Sequence, residues 1–289
     1  MSDELGLPFA EVIGDPIAQS KSPAIHAFWL ERLGIEARYE PRQVNPDNLK
    51  RYIANRREDS NWRGCNITMP LKELAIDSVD RVEPHARKIG AINTVYRGGE
   101  GELVGTNTDV EGFLEPLQKV LDQKHLFRMA RIIGTGGAAR AIIAALGDHG
   151  FTLVVAGRNP AKARKLVDEL APDGEHYIAP LGHFGQPTDF RFDDREDCLD
   201  LVVNASPLGM RGSPPLAFDW SHAPPGSIAY DIVTDPKYTA FLHNAEANGF
   251  EIIDGLSMLI GQAATAFERF FGQKPPRQHD AELQAILTR

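Results

Sequence analysis

The run from Arg131 to Leu146, RIIGTGGAARAIIAAL, constrains this chain more than any other stretch. Two β-branched apolar residues, Ile132 and Ile133, lead into Gly134-Thr135-Gly136-Gly137-Ala138-Ala139, and a helical pattern carrying Ala141, Ile142, Ala145 and Leu146 follows at once. That order fits the strand, glycine-rich turn and helix of a dinucleotide-binding βαβ unit. Gly134 permits the tight turn, Gly136 lets backbone N–H groups approach a pyrophosphate, and Ala139 allows close helix–strand packing. The helix N-terminus then faces the phosphate charge.

The next strand selects the dinucleotide. Thr152 to Ala156 reads as a buried β-branched strand, and the residue expected to meet the adenosine ribose is Arg158. An acid there would hydrogen-bond the ribose 2′-hydroxyl of NAD. Arg158, with Lys162 four residues on, instead offers two cations to a 2′-phosphate, so the expected cofactor is NADP. Lys162 alone would read as a surface lysine.

Composition excludes several classes. At 289 residues the chain exceeds what one hydrophobic core usually serves, and two domains are expected. The net charge of −9, with no basic run, argues against a nucleic-acid partner. Cys65 and Cys198 are the two cysteines, without CxxC or Cys/His spacing, which suits a reducing compartment and argues against a structural zinc site. No metal is expected: the nine histidines include no HExxH. The start MSDELGLPFA is acidic and lacks the basic and apolar regions of a signal peptide. No apolar run approaches the roughly 18 residues of a membrane helix. A cytoplasmic protein is expected.

Alternating strand and helix patterns predict an α/β fold. Strand candidates in the first hundred residues are AEVIGD, ARYEPRQV, GCNIT, AINTVYR and GELVGTN, with helices beginning near Pro23, Pro46 and Pro70. A helix from Asp109 to Asp122 carries Val110, Phe113, Leu114, Leu117 and Leu121 on one face, with Pro116 disturbing it. Beyond the glycine-rich unit, LDLVVNAS, SIAYDIV and FEIIDG read as parallel strands, with a helix over Thr239 to Asn248. A last helix, Leu256 to Phe271, is expected to return to the first domain. The predicted domains are therefore 1–108 with 256–289, and 109–255. The polar segment from Pro172 to Glu196 reads as a long connection of a mobile or functional kind.

Polar clusters outside the cofactor unit are not explained by packing alone. In Gly14-Asp15-Pro16-Ile17-Ala18-Gln19-Ser20-Lys21-Ser22-Pro23, Ser22 looks like an N-cap, whereas Ser20 has no such duty. Two hydroxyls so spaced can bind a carboxylate or sugar-like hydroxyls, or one can simply cap the helix. In Asn66-Ile67-Thr68-Met69-Pro70-Leu71-Lys72, Pro70 marks a helix start and places Lys72 in its first turn, against the helix dipole. Asn93-Thr94 and Gly105-Thr106-Asn107-Thr108-Asp109 stand at strand ends. Asp109 can cap the helix that follows it or pair with Lys72, and both readings stay open.

The chain resembles the shikimate dehydrogenases over nearly its whole length, from about Val12 to Gln262. GDPIAQSKSPAIH, NITMPLK, GAINT, GTNTDVEGF, GTGGAARA, NASPLGM, YDIVTDP and GLSMLIGQA occur in the order of that family. The resemblance implies an N-terminal α/β substrate domain and a Rossmann-like NADP-binding domain with a parallel sheet, with a cleft between them. It implies NADPH-dependent reduction of 3-dehydroshikimate to shikimate, a step toward chorismate and the aromatic amino acids. Lys72 and Asp109 would be the catalytic pair. Ser20 and Ser22 would bind the substrate carboxylate, Thr68, Asn93 and Gln262 its ring hydroxyls, and Tyr230 would lie beside the carboxylate and the nicotinamide. The phosphate loop would fall on Gly134, Thr135, Gly136, Gly137 and Ala138, and the 2′-phosphate clamp on Arg158, Asn159 and Lys162. Asn204, Ala205, Ser206 and Met210 would line the nicotinamide side.

Some positions depart from the family's commonest pattern. Gln19 stands where His is frequent, Thr106 where Asp or Gly is, and Gly157-Arg158-Asn159 where Asn-Arg-Thr is usual. The expected partners are thus small molecules alone, with neither nucleic acid nor membrane, for a monomer or homodimer. The alternatives are a dual-specificity quinate/shikimate dehydrogenase and a non-catalytic sensor of the same ligands. The Ser20-x-Ser22 pair argues against the first, and the presence of both Lys72 and Asp109 against the second.

Overall fold

The computed structural model describes residues 6–192 and 195–288. Residues 1–5 of the acidic start, Asp193 and Asp194 of the polar connection, and Arg289 lie outside them. The chain divides into two compact units: Met1–Glu111 with Ile260–Arg289, and Gly112–Leu259.

The first unit holds β1 (Phe9–Gly14), β2 (Arg38–Gln43), β3 (Trp62–Ile67), β4 (Arg81–Val82), β5 (Thr94–Arg97) and β6 (Leu103–Thr106). They form one sheet in the order β2-β1-β3-β5-β6-β4. β1 lies parallel to β2 and β3, and β5 runs antiparallel to β3 and β6. Every residue of β1 is buried, including Glu11. That carboxylate is accommodated by Arg56 at 2.7 Å, the Tyr52 hydroxyl at 2.7 Å and the Trp62 indole N–H at 3.1 Å. A buried charge so paired and hydrogen-bonded is tolerable; alone it would not be. On one side of the sheet Ile13, Trp62, Ile67 and Leu103 pack with Leu49 and Ile53 of the helix Leu49–Arg57.

The helix Ser22–Leu33 brings His26 face to face with the Tyr39 ring at 3.8 Å. Burial pushes the His26 imidazole down to about 3, so it packs as a neutral ring.

Two expectations for this unit need correction. No α-helix begins at Pro70: the chain turns there, and a 3₁₀ segment, Leu74–Ser78, follows Lys72. Lys72 therefore lies in a turn, not in the first turn of an α-helix whose dipole could act on it. The patterned stretch from Asp109 is also not one helix. It breaks into Asp109–Leu114, a 3₁₀ turn Glu115–Leu117 and Gln118–Leu121, because Pro116 supplies no N–H to the ladder.

The second unit holds β7 (Phe127–Ile133), β8 (Thr152–Gly157), β9 (Tyr177–Pro180), β10 (Cys198–Asn204), β11 (Ile228–Asp231) and β12 (Glu251–Ile253). All neighbours in the order β12-β11-β10-β7-β8-β9 are parallel. This is the doubly wound order, and the direction of winding reverses between β7 and β10, where such sheets bind ligands. Ile133, Ala156, Val202 and Ala229 on the strands pack with Phe241 and Leu242 of the helix Ala240–Ala247. β9 lies within the segment read as a plain connection. It forms the edge beside β8, with a 3₁₀ turn at His183–Gly185 after it.

The second unit begins at Gly112 rather than Asp109 and ends at Leu259 rather than Gly255. The long helix Gly255–Phe271 contributes its first residues to the second unit and the remainder, from Ile260, to the first. Among the described residues no helix is long and apolar enough to cross a membrane.

Candidate active site

In the first unit the polar clusters converge at strand ends. β3 runs out into Thr68 and the turn bearing Lys72, and β6 runs out into Asn107, Thr108 and Asp109. Lys72 Nζ donates to Asp109 Oδ2 at 2.5 Å. Both side chains are largely enclosed, 13% and 5% exposed, so water screens the pair less than it would on a surface. Of the two readings for Asp109, the pair with Lys72 is therefore realised, and Asp109 also opens the helix Asp109–Leu114.

Asn93 fixes the pair from behind. Its amide nitrogen donates to Asp109 Oδ1 at 2.8 Å and to the Thr108 hydroxyl at 2.9 Å, and reaches Gln262 Oε1 at 3.4 Å. Its amide oxygen accepts the Thr108 backbone N–H at 2.8 Å and the Thr94 hydroxyl at 3.0 Å. Asn107, fully buried, accepts the Asp109 N–H at 3.0 Å and donates to the Ala91 carbonyl at 2.9 Å. Asn66 links the same cluster to Tyr39, whose hydroxyl it accepts at 2.6 Å, and donates to the Thr94 hydroxyl at 3.0 Å. Asn66, Asn107 and Thr108 were not singled out from sequence as site residues. The signal was present, since buried polar residues at strand ends need partners.

Ser20 and Ser22 exchange the duties expected of them. Ser22 is the first residue inside its helix, Lys21 holds the cap position, and no side chain makes the capping bond. The Ser20 hydroxyl accepts the Ser22 backbone N–H at 3.3 Å. The Ser22 hydroxyl, on a residue 6% exposed, makes no hydrogen bond among the described residues, and neither does that of half-buried Thr68. Gln262 is buried on the long helix.

In the second unit Gly134 sits at φ +130°, and a Cβ there would lie 2.5 Å from the Ala205 carbonyl oxygen. Glycine is required because the loops after β7 and β10 meet at this point. A Cβ at Gly136 would meet no protein atom within 4 Å, so packing does not demand glycine there. The helix Gly137–Asp148 starts from Gly136 with no capping side chain, which leaves its first N–H groups to a ligand such as phosphate. Ala139 is fully buried, and Thr135, Gly137 and Ala138 are half-buried.

Arg158 and Lys162 are exposed and, among the described residues, enter no ion pair or hydrogen bond through their side chains. Asn159, the remaining residue of the expected clamp, stands at the cap position of the next helix. Its side-chain oxygen caps the helix Pro160–Leu170, accepting the Lys162 N–H at 3.1 Å. The cradle therefore fits a dinucleotide carrying a 2′-phosphate: a glycine turn, an uncapped helix start and two unpaired cations.

Asn204, expected to line the nicotinamide side, is fully buried. It donates to Leu208 O and Asp231 Oδ1, both at 2.9 Å, and accepts the Ser206 N–H at 3.1 Å and hydroxyl at 2.7 Å. These bonds shape the loop bearing Ala205, Ser206 and half-buried Met210. Asp231 is pushed up to about 6 by burial, against the hydrogen bonds of Thr239, Val233 and Asn204. The Tyr230 ring stacks on Phe113 at 4.8 Å, and its buried hydroxyl makes no hydrogen bond among the described residues. Burial raises that phenol well above its usual range. Among the described residues no group of three or more His, Cys, Asp or Glu is placed to hold a metal.

Fold and site together define an α/β protein of the dinucleotide-dependent oxidoreductase class, with an ammonium–carboxylate pair. Residues 12–95 match the shikimate dehydrogenase substrate binding domain, and residues 255–282 the shikimate 5'-dehydrogenase C-terminal domain. The shikimate dehydrogenase (NADP(+)) of Sphingopyxis alaskensis is 47% identical over 100% of both chains. That of Paramagnetospirillum magneticum is 38% identical over 96% of this chain and 97% of its own. The solved shikimate 5-dehydrogenase of Thermus thermophilus, in complex with NADP(H) and shikimate, superposes with a TM-score of 0.80 at 35% identity, covering 97% of this chain and 100% of that one. The chain belongs to the shikimate dehydrogenase family.

Proposed function

We propose that this chain interconverts 3-dehydroshikimate and shikimate with NADP as cofactor, and that Lys72 and Asp109 are its catalytic pair. The carrying observation is the 2.5 Å Lys72–Asp109 contact, which Asn93 braces from the opposite carboxylate oxygen. NADPH, when bound, would supply the hydride that the carbonyl carbon receives. Lys72 serves the carbonyl oxygen: its ammonium stabilises the developing alkoxide and delivers the proton, and in the reverse direction the amine takes the proton back. Asp109 holds the amine in place.

Ser22 and Thr68 have hydroxyls uncommitted within the protein, which suits them to bind the substrate carboxylate and a ring hydroxyl. Ser20, Asn93 and Gln262 complete the substrate site of the first unit in this proposal. Gly134, Thr135, Gly136, Gly137 and Ala138 would hold the pyrophosphate, while Arg158 and Lys162 would hold the 2′-phosphate. Ala205, Ser206 and Met210 would line the nicotinamide side of the bound cofactor. The first unit, Met1–Glu111 with Ile260–Arg289, serves the substrate and the second, Gly112–Leu259, the cofactor. A cytoplasmic monomer or homodimer belongs to the same proposal.

The test is the initial rate at the NADPH absorbance band with shikimate and quinate, each paired with NADP and NAD. Turnover on shikimate with NADP is the expected result. Comparable rates on quinate would instead mark a dual-specificity enzyme. Cofactor binding without turnover on either substrate would mark a sensor and overturn the proposal.

A further inference from the structure

Lys21 stands between Ser20 and Ser22, and its side chain reaches across the chain: Nζ donates to the backbone carbonyl of Leu287 at 2.6 Å. Leu287 ends the helix Asp280–Leu287. The last carbonyls of a helix lack intrahelical partners and favour a cation. Here the Thr288 hydroxyl turns back to those of Gln284 and Ala285, at 3.0 and 3.2 Å, and the Lys21 ammonium takes that of Leu287. The same helix is docked through buried Leu283 and Leu287 and through an ion pair between Arg32 and Glu282. At its other end Lys21 occupies the cap position of Ser22–Leu33, and its carbonyl accepts the Ile25 N–H at 3.2 Å. One residue thus joins the turn that sets both serine hydroxyls to the closing helix of the unit.

We infer that Lys21 is a positioning residue for the substrate carboxylate, acting by tying the Ser20–Ser22 turn to the carbonyl end of the C-terminal helix. The inference rests on the assignment of Ser20 and Ser22 to that carboxylate. A lysine serving only stability would leave KM alone, and one acting only through its field would not need the helix.

The experiment measures KM for shikimate, KM for NADP and kcat in the full-length protein. Lys21→Met raises the shikimate KM about fivefold, on the scale of one ordinary hydrogen bond, with kcat and the NADP KM within about twofold. Lys21→Arg, which still reaches the carbonyl, restores most of the loss. Leu283→Ala, which loosens the docked helix, raises the shikimate KM in the same direction, and adding Lys21→Met to it costs less than in the parent. An unchanged shikimate KM in Lys21→Met, where Ser22→Ala raises it, overturns the tether. Full additivity of Lys21→Met and Leu283→Ala also overturns it. No change in either Lys21→Met or Ser22→Ala overturns the carboxylate assignment itself.

Discussion

Replacing Asp231 by Asn is expected to stabilise the second unit at neutral pH and to have no effect in mild acid. Asp231 is fully buried, and burial raises its carboxyl from the ordinary 3.8 to about 6. An acid with a raised folded value favours the native state below its unfolded value, and that advantage disappears as pH rises from about 4 through about 6. Relative to acid, the charged carboxylate at pH 7.5 costs about 3 kcal/mol, taking about 1.36 kcal/mol per pH unit of separation. At pH 4.5 the cost has fallen to about 1 kcal/mol by the same relation.

The amide can keep most of the contacts. Oδ1 accepts the Val233 N–H at 3.0 Å and the Asn204 amide at 2.9 Å, which an amide oxygen does equally well. Oδ2 accepts the Thr239 hydroxyl at 2.6 Å, and that hydroxyl also caps a helix by accepting the Leu242 N–H at 3.3 Å. An amide nitrogen there would donate to Thr239 and strand the hydroxyl proton, a loss of about 1 kcal/mol. The net expectation is about 2 kcal/mol of stabilisation at pH 7.5 and about zero at pH 4.5. Urea unfolding of both proteins at the two pH values measures it. An equal difference at both pH values would refute the reasoning, because the buried carboxylate would then carry no raised proton affinity.

Three further outcomes are expected. Lys72→Ala lowers kcat at least about a hundredfold, on general acid–base magnitudes, while NADPH affinity by fluorescence titration is unchanged. Arg158→Ala raises the NADP KM about tenfold or more and changes the NAD KM little, since the lost bonds are to the 2′-phosphate; equal effects on both cofactors would count against the clamp. Gly134→Ala forces a methyl onto the Ala205 carbonyl at φ +130° and lowers the urea stability of the second unit by about 3 kcal/mol, with NADP affinity falling alongside.

Most of the second unit was legible in the sequence because buried parallel strands read as continuous apolar runs, and the turn at Gly134 has few alternatives. β9, with Tyr177 and Pro180 on an edge, carries too little apolar character to stand out. In the first unit, proximity was the obstacle. Lys72 and Asp109 are 37 residues apart, and local pattern could not choose between a cap and an ion pair for Asp109. A one-residue shift in the helix start decided which of Ser20 and Ser22 spends its hydroxyl locally, and helix ends are read from sequence only to within a residue or two. For Asn204, the sequence placed an amide at a strand end but could not show that it faces inward.

The division of the chain has a consequence for how it is made. Gly112–Leu259 is one uninterrupted stretch, whereas the first unit needs Ile260–Arg289 in addition to Met1–Glu111. Domains fold as units during synthesis, ordinarily the earlier one first. Here the order is reversed. The nucleotide-type sheet can close from its own continuous stretch, but Asn93 waits for Gln262, and Lys21 for Leu287. The stretch Met1–Glu111 is thus the last to finish folding, and until then its apolar β1 and β3 depend on whatever shields nascent chains.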